Sequence, residues 1–383
     1  MNPLKALKEH GQVVWLDFLS RSFIVNGDLK KLIDQDGLCG VTSNPSIFEK
    51  AIDHSDDYDG EIRQRVLQGD CLVEKLYDGL AIQDIKHAAD VLRPVFDATE
   101  GADGFVSLEV SPYLAMQTEP TIAEARRLWS EVDRKNLMIK VPATQPGLRA
   151  IRALTADGIN VNITLLFAQE VYEKVVDAFL SGLEELAAAG GDVAKVASVA
   201  SLFVSRIDTA VDRKIDQIAA KTSAPNDKAR LAALRGKVAI SNAKLTYQRH
   251  KHLFSGRRWK KLADQGARPQ RLLWASTGTK NKAYSDVLYV EELIGPNTIN
   301  TMPPATLEEF RDHGNVRDTL EVDLAGAQAV LDDLRRTGIS LQQVTDELTQ
   351  EGVRLFVEAT SKLLDTLAKK RAALLPDRSA IAH

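Results

Sequence analysis

Only two cysteines, Cys39 and Cys71, occur in the 383-residue chain. That is too few for a disulfide framework or a multi-cysteine metal site, and it points to reduced thiols in a cytoplasmic protein. Long apolar runs are also missing. None approaches the roughly 18–20 residues of a membrane span. The amino-terminal MNPLKALKEHGQVVWLDF shows no basic segment followed by a long apolar core, so no secretory signal is expected. Neither sign of charge dominates: 49 Lys and Arg face 53 Asp and Glu, a formal net charge of −4. The heavy basic excess of a dedicated nucleic-acid binder is therefore excluded. A low-complexity linker is absent as well, so nothing in the composition divides the chain.

What the chain does contain is a rhythm of short apolar, β-branched runs. They fall at Val13–Phe18, Gly40–Pro45, Phe105–Ser111 and Leu137–Ala143, and then at INVNITLLF from Ile159, VASVASLFV from Val196, RLLWASTG from Arg271 and NTINTM from Asn297. Between them, segments such as PTIAEARRLWSEVDRK carry apolar residues at three- and four-residue spacing, the period of a helix with one buried face. Alternating strands and helices predict parallel βα units, and eight of them predict an α/β fold of the (β/α)8 TIM-barrel type with additional helices. A doubly wound open sheet would require a Gly-rich turn after Val13–Phe18, and none is present. The expectation is one barrel domain over residues 1–383. A helical insertion at 209–269 separates strands six and seven, and residues 306–383 form C-terminal helices and a tail.

Chemistry in such a barrel sits where the strands end, and side chains alternate along each strand. Those two rules select Asp17, Thr42, Asn44, Glu109 and Lys140 from the first four strands. They also select Asn160, Asn162 and Thr164, which are two apart, and Ser198, Ser201 and Arg206, then Ser276 and Thr277. Lys140 stands out because LMIKVPA surrounds it with apolar neighbours. Burying an ammonium group is unfavourable unless it is paired or neutralised, so either a salt bridge to Glu109 or Asp17 or a functional amine is implied. A buried lysine is suited to attack on a ketone or aldehyde. The imine so formed is an electron sink for carbon–carbon cleavage, and two carboxylates can divide the proton transfers that this chemistry needs. One amine and two carboxylates among amide and hydroxyl donors are the requirements of a class I aldolase site.

GVTSNPSIF and LMIKVPATQPGLRAIRAL resemble two signatures of the transaldolase family, and GINVNITLLFA and SLFVSRID resemble its fifth and sixth strand segments. The stretch LLWASTGTKNKAYSDVLYVEELIGPNTINTMPP resembles the longer bacterial members. The resemblance implies that Lys140 forms the imine with the C2 carbonyl of a ketose phosphate and that Asp17 exchanges the C4 hydroxyl proton. It implies that Glu109 acts through a water positioned with Thr164, that Asn44 and Asn162 bind substrate hydroxyls with Thr42 shaping the pocket, and that Ser201 and Arg206 bind phosphate. Lys280 or Lys282 would be a second phosphate cation, with Lys280 preferred; related long forms commonly read Lys-Asn-Pro where this chain has Lys282 in place of the proline. The implied reaction moves a dihydroxyacetone unit between sugar phosphates in the pentose phosphate pathway, without a cofactor or metal. Two rivals are a fructose-6-phosphate aldolase-like enzyme and a non-catalytic sugar-phosphate-binding barrel. Small-molecule sugar phosphates are the expected partners, with no nucleic acid and no membrane; a homo-oligomer is compatible with the sequence but not specified by it.

Other motifs carry less. His250 and His252 in RHKH have metal-like spacing but no carboxylate or cysteine partner nearby in sequence, so a solvated helix face is expected. STGTK lacks the spacing of a phosphate-binding P-loop, and GRRWKK is too short to argue for nucleic acid. In GVTSNPSIFEK, Pro45 suits the strand exit, and Ser46 is expected to cap the following helix.

Overall fold

The computed structural model describes residues 2–69 and 72–374. Cys71 and the tail PDRSAIAH lie outside the described residues. Eight parallel strands close into a barrel in chain order: β1 Gln12–Leu16, β2 Gly40–Thr42, β3 Phe105–Glu109, β4 Leu137–Pro142, β5 Val161–Leu166, β6 Ser198–Phe203, β7 Arg271–Ala275 and β8 Thr298–Met302. Closure is made by β1, whose Trp15 pairs with Gly40 of β2 on one side and Thr301 of β8 on the other. Each strand matches one of the eight expected runs. The observed strands are mostly shorter at their C-terminal ends, because the last residues of each run leave the ladder to form the barrel mouth.

Helices outside and side chains inside bury both faces of these strands, so β1, β4, β5 and β6 are buried along their whole length. Gly40 is required by this packing: a Cβ there would lie 2.5 Å from the Trp15 ring. Four helices separate β6 from β7, at Ser205–Ala219, Pro225–Leu234, Val238–Leu253 and Arg257–Ala263. A 34-residue helix, Leu341–Leu374, ends the described chain. It packs on the helix Pro45–Asp53 and reaches the barrel at β5, where Gly352 lets it approach Leu165.

Several residues of the basic stretch after β6 pair with neighbouring elements, while Arg257, Lys260 and Lys261 are exposed. Arg258 pairs with Asp177 and Glu184, and Arg249 pairs with Glu173. His250 departs from the expectation of a solvated face. It is buried against Tyr172, Tyr247 and Phe254, and its Nδ1 lies 2.7 Å from the Tyr172 hydroxyl. Helical periodicity decides this: His252 is exposed, and a residue two positions away points to a different side of the helix. Burial pushes the His250 pKa down to about 4, so the ring is neutral in the folded protein.

Because the unfolded ring titrates near 6.5, its folding contribution is complete above that pH and is lost as pH falls towards 4. Comparing urea unfolding of the wild type and His250→Phe at pH 7 and pH 5 should show the wild type losing about 2 kcal/mol more than the variant, since a tenfold change in proton affinity corresponds to about 1.4 kcal/mol. An equal loss in both proteins would contradict a neutral buried His250.

Candidate active site

The strand ends surround a cavity of about 410 Å³ whose walls include Asp17, Thr42, Asn44, Lys140, Ser201, Arg206 and Lys280. The in-register pairing of β3 with β4 sets Glu109 beside Lys140. Lys140 Nζ lies 3.3 Å from Glu109 Oε2 and donates to the Ser43 carbonyl at 3.0 Å. Both side chains are almost fully enclosed, 6% and 5% exposed. Burial raises the Glu109 pKa above the ordinary glutamate value, and Asp17 adds to the effect, while the Lys140 charge opposes it. A carboxyl poised upward in this way can both accept and release a proton nearer neutral pH.

Hydroxyls and amides hold the neighbouring groups. The Thr42 hydroxyl donates to Asp17 Oδ1 at 2.7 Å and contacts the Thr301 hydroxyl at 2.8 Å. Ser201 donates to Asn162 Oδ1 at 2.7 Å, and Asn162 Nδ2 donates to the Ser107 hydroxyl at 2.9 Å. This chain crosses the barrel from β6 through β5 to β3 and fixes which way the Asn162 amide points. Thr164 is buried just before Leu165, whose φ of 54° coincides with a register shift between β5 and β6. The Thr164 hydroxyl has no protein partner among the described residues.

The far wall is cationic. Arg206 opens the helix Ser205–Ala219, with its guanidinium 5.2 Å from the Phe203 ring. It has no ion-pair contact with a carboxylate among the described residues, and burial lowers its pKa. A half-buried guanidinium without a carboxylate is arranged to take an anion. Ser276 and Gly278 line the same wall, as does Lys280, which is exposed; Lys282 is not part of the lining.

Residues 14–367 match the Transaldolase/Fructose-6-phosphate aldolase family. The chain belongs to this family. Among its relatives, a transaldolase of Thermobifida fusca is 49% identical over 97% of this chain and 99% of its own length. A protein named Transaldolase 2 from Nostoc punctiforme is 46% identical over 98% of this chain and 99% of its own length. Another Transaldolase 2, from Streptomyces coelicolor, is 46% identical over 98% and 99% respectively.

Four expectations for this member of the transaldolase family change. Asn160 precedes β5, and its side chain ties Lys135, Leu137 and Ala197 at the strand starts. Ser198 opens β6 and donates to the Val161 carbonyl, so it too lies away from the mouth. Both errors come from applying alternation without knowing where the strand begins. Asn44, not Ser46, caps the helix Pro45–Asp53: its Oδ1 accepts from Ile47 N at 3.1 Å, and the residue also lines the cavity. Thr277 is drawn off to Asn300.

Alternation along the strands also overlooked Ser107, Thr301 and Phe356. Ser107 had a signal, being two residues before Glu109 on the same strand. Phe356 had none, since the helix Leu341–Leu374 brings it over Lys140 from far along the chain, with Nζ 5.8 Å from its ring.

Thr42→Val keeps the shape of the side chain but removes the hydroxyl between Asp17 and Thr301. Urea denaturation should register a loss of about 1–3 kcal/mol, the cost of leaving buried polar groups unpartnered. A loss below roughly 0.3 kcal/mol would mean that the contact contributes little to stability.

Proposed function

We propose that the protein is a transaldolase in which Lys140 carries a dihydroxyacetone unit from sedoheptulose 7-phosphate or fructose 6-phosphate to glyceraldehyde 3-phosphate or erythrose 4-phosphate. One observation carries the reading. At the strand ends, a buried lysine touches Glu109 and shares a cavity with Asp17 and with Arg206, which makes no ion pair with a carboxylate among the described residues.

Lys140 Nζ, having passed a proton to Glu109, attacks C2 of the ketose phosphate. The carbinolamine loses water as Glu109 returns a proton through a water held with Thr164, and an iminium remains. Asp17, supported by Thr42, takes the proton from the C4 hydroxyl. The C3–C4 bond breaks, the aldose phosphate leaves, and the electron pair enters the iminium to give an enamine. The acceptor aldehyde then takes the place of the first. The enamine carbon attacks it, Asp17 returns the proton, and hydrolysis frees Lys140.

Asn44 and Asn162 hold the hydroxyls of the bound fragment. Arg206 and Ser201 bind phosphate, with Lys280 as the second cation. Since the electron sink is the iminium itself, these steps call on no cofactor. The fructose-6-phosphate aldolase alternative differs in releasing the three-carbon fragment without an acceptor. Near-full-length similarity to proteins named transaldolase favours transfer.

Borohydride added with fructose 6-phosphate should leave a reduced dihydroxyacetone adduct on Lys140, located by peptide mass spectrometry, and Lys140→Ala should show none. An unmodified Lys140 in the wild type would sink the reading. Product formation that depends on erythrose 4-phosphate separates transfer from simple cleavage. Arg206→Ala should raise KM for phosphorylated substrates roughly ten- to hundredfold with a smaller change in kcat, as expected for losing a charge-assisted contact. An unchanged KM would move the phosphate site elsewhere.

A further inference from the structure

Lys140 and Glu109 touch, yet they border different spaces. Lys140 faces the cavity at the barrel mouth, whereas Glu109 faces a second cavity of about 190 Å³ behind it. The helices Val73–Ala98, Thr118–Val132 and Leu341–Leu374 enclose this rear space, with Ala81, Leu108 and Leu128 among its walls. At its outer end, Asp78 and Arg127 also line a surface cleft of about 820 Å³. There Arg127 pairs with Asp78 at 2.8 Å and with Glu124 at 2.9 Å. The rear cavity therefore has the buried carboxyl at one end and a solvent-facing ion-pair cluster at the other, and its walls also include Pro45 and Ser111 from the turns after β2 and β3.

Tyr77 stands inside it. Its ring is held edge-on to Phe48 with centroids 5.8 Å apart, and its hydroxyl has no hydrogen-bond partner among the described residues. Burial and the carboxyls of Asp78, Glu109 and Glu124 keep that hydroxyl protonated, hence a neutral donor. Tyr77 is only partly buried, and its hydroxyl keeps accessible surface, so it opens onto the cavity, where water can satisfy it. A water needs roughly 10–15 Å³ and two to four polar partners; the cavity of about 190 Å³ has the room, and Tyr77, Glu109 and Ser111 are polar residues in its walls.

We propose that this rear cavity supplies water and exchanges protons for the imine steps, and that Tyr77 is a positioning residue that orients the water acted on by Glu109. The proposal rests on the Lys140 imine reading given above. In hydrolysis, the oxygen of that water bonds to C2 of the iminium while one of its protons passes to Glu109. Glu109 then protonates the nitrogen of the carbinolamine. The C2–N bond breaks with its electron pair remaining on nitrogen, and the new hydroxyl loses its proton to the carboxylate as the carbonyl forms. A rear route brings water to C2 while the sugar phosphate occupies the mouth. It also keeps that water apart from the enamine carbon, whose protonation would end transfer prematurely.

The test is exchange of ¹⁸O from labelled water into the C2 carbonyl of fructose 6-phosphate, compared in wild type, Tyr77→Phe and Ala81→Leu, the last of which fills the cavity. Tyr77→Phe should slow enzymic exchange about tenfold with KM within about twofold. Its acid limb should move to higher pH, because Glu109 loses support for its charged form. Ala81→Leu should slow exchange similarly. If it fails to fold, the near-isosteric Tyr77→Phe decides alone. Wild-type exchange rates and an unmoved pH profile in folded Tyr77→Phe would overturn the proposal while leaving the imine reading intact. Failure of the wild type to form a borohydride-trapped adduct would instead remove the imine reading, and this proposal with it.

Discussion

The contact between Lys140 and Glu109 is the constraint around which the barrel mouth is organised. Two charges enclosed to this degree lose most of their hydration, and the attraction between them restores it only if the remaining donors and acceptors are satisfied. The Ser43 carbonyl accepts one hydrogen bond from the ammonium group, and the Phe356 ring lies over the same group. Neither charge is tolerable alone, because removing one partner of a buried pair typically costs about 3–5 kcal/mol. A pair arranged in this way stores a proton that can be shared between amine and carboxyl, which is the property that imine chemistry uses.

Maintaining that contact requires precision from parts of the fold that never touch it. The register of β3 against β4 puts the two residues side by side, and a shift by one would send one of them to the opposite face. The Ser201–Asn162–Ser107 chain joins three strands on the inner face and holds an amide that could otherwise rotate. At β5, left-handed Leu165 displaces the ladder next to Thr164, and the close approach of Gly352 fits the last helix against that irregularity. Backbone strain of this kind persists only where surrounding packing overrides it.

The charge distribution completes the arrangement. Arg249 and Arg258, between β6 and β7, are matched with carboxylates, whereas Arg206 at the mouth makes no ion pair among the described residues. An arginine kept from a carboxylate in a chain with 53 acidic residues is a selective arrangement for an incoming anion. The front of the site is thus cationic around polar amides, and the rear is carboxyl-rich around a tyrosine. Lys140 and Glu109 form the partition between them.

The pattern of apolar runs determined eight parallel strands, and the residue types at their ends determined Asp17, Glu109, Lys140 and Arg206, because a barrel strand buried on both faces makes any charge within it conspicuous. Alternation located those residues but misjudged Asn160 and Ser198, since it has no information about which end of a strand a polar residue occupies. It could not foresee that His250 is buried, that Asn44 serves as a helix cap, or that Phe356 comes to lie above the lysine. Those outcomes depend on helix packing across long sequence separations. Only the folded chain decided that Lys140 and Glu109 face separate cavities, because that division is created by three helices meeting behind β3, and no local pattern encodes where they meet.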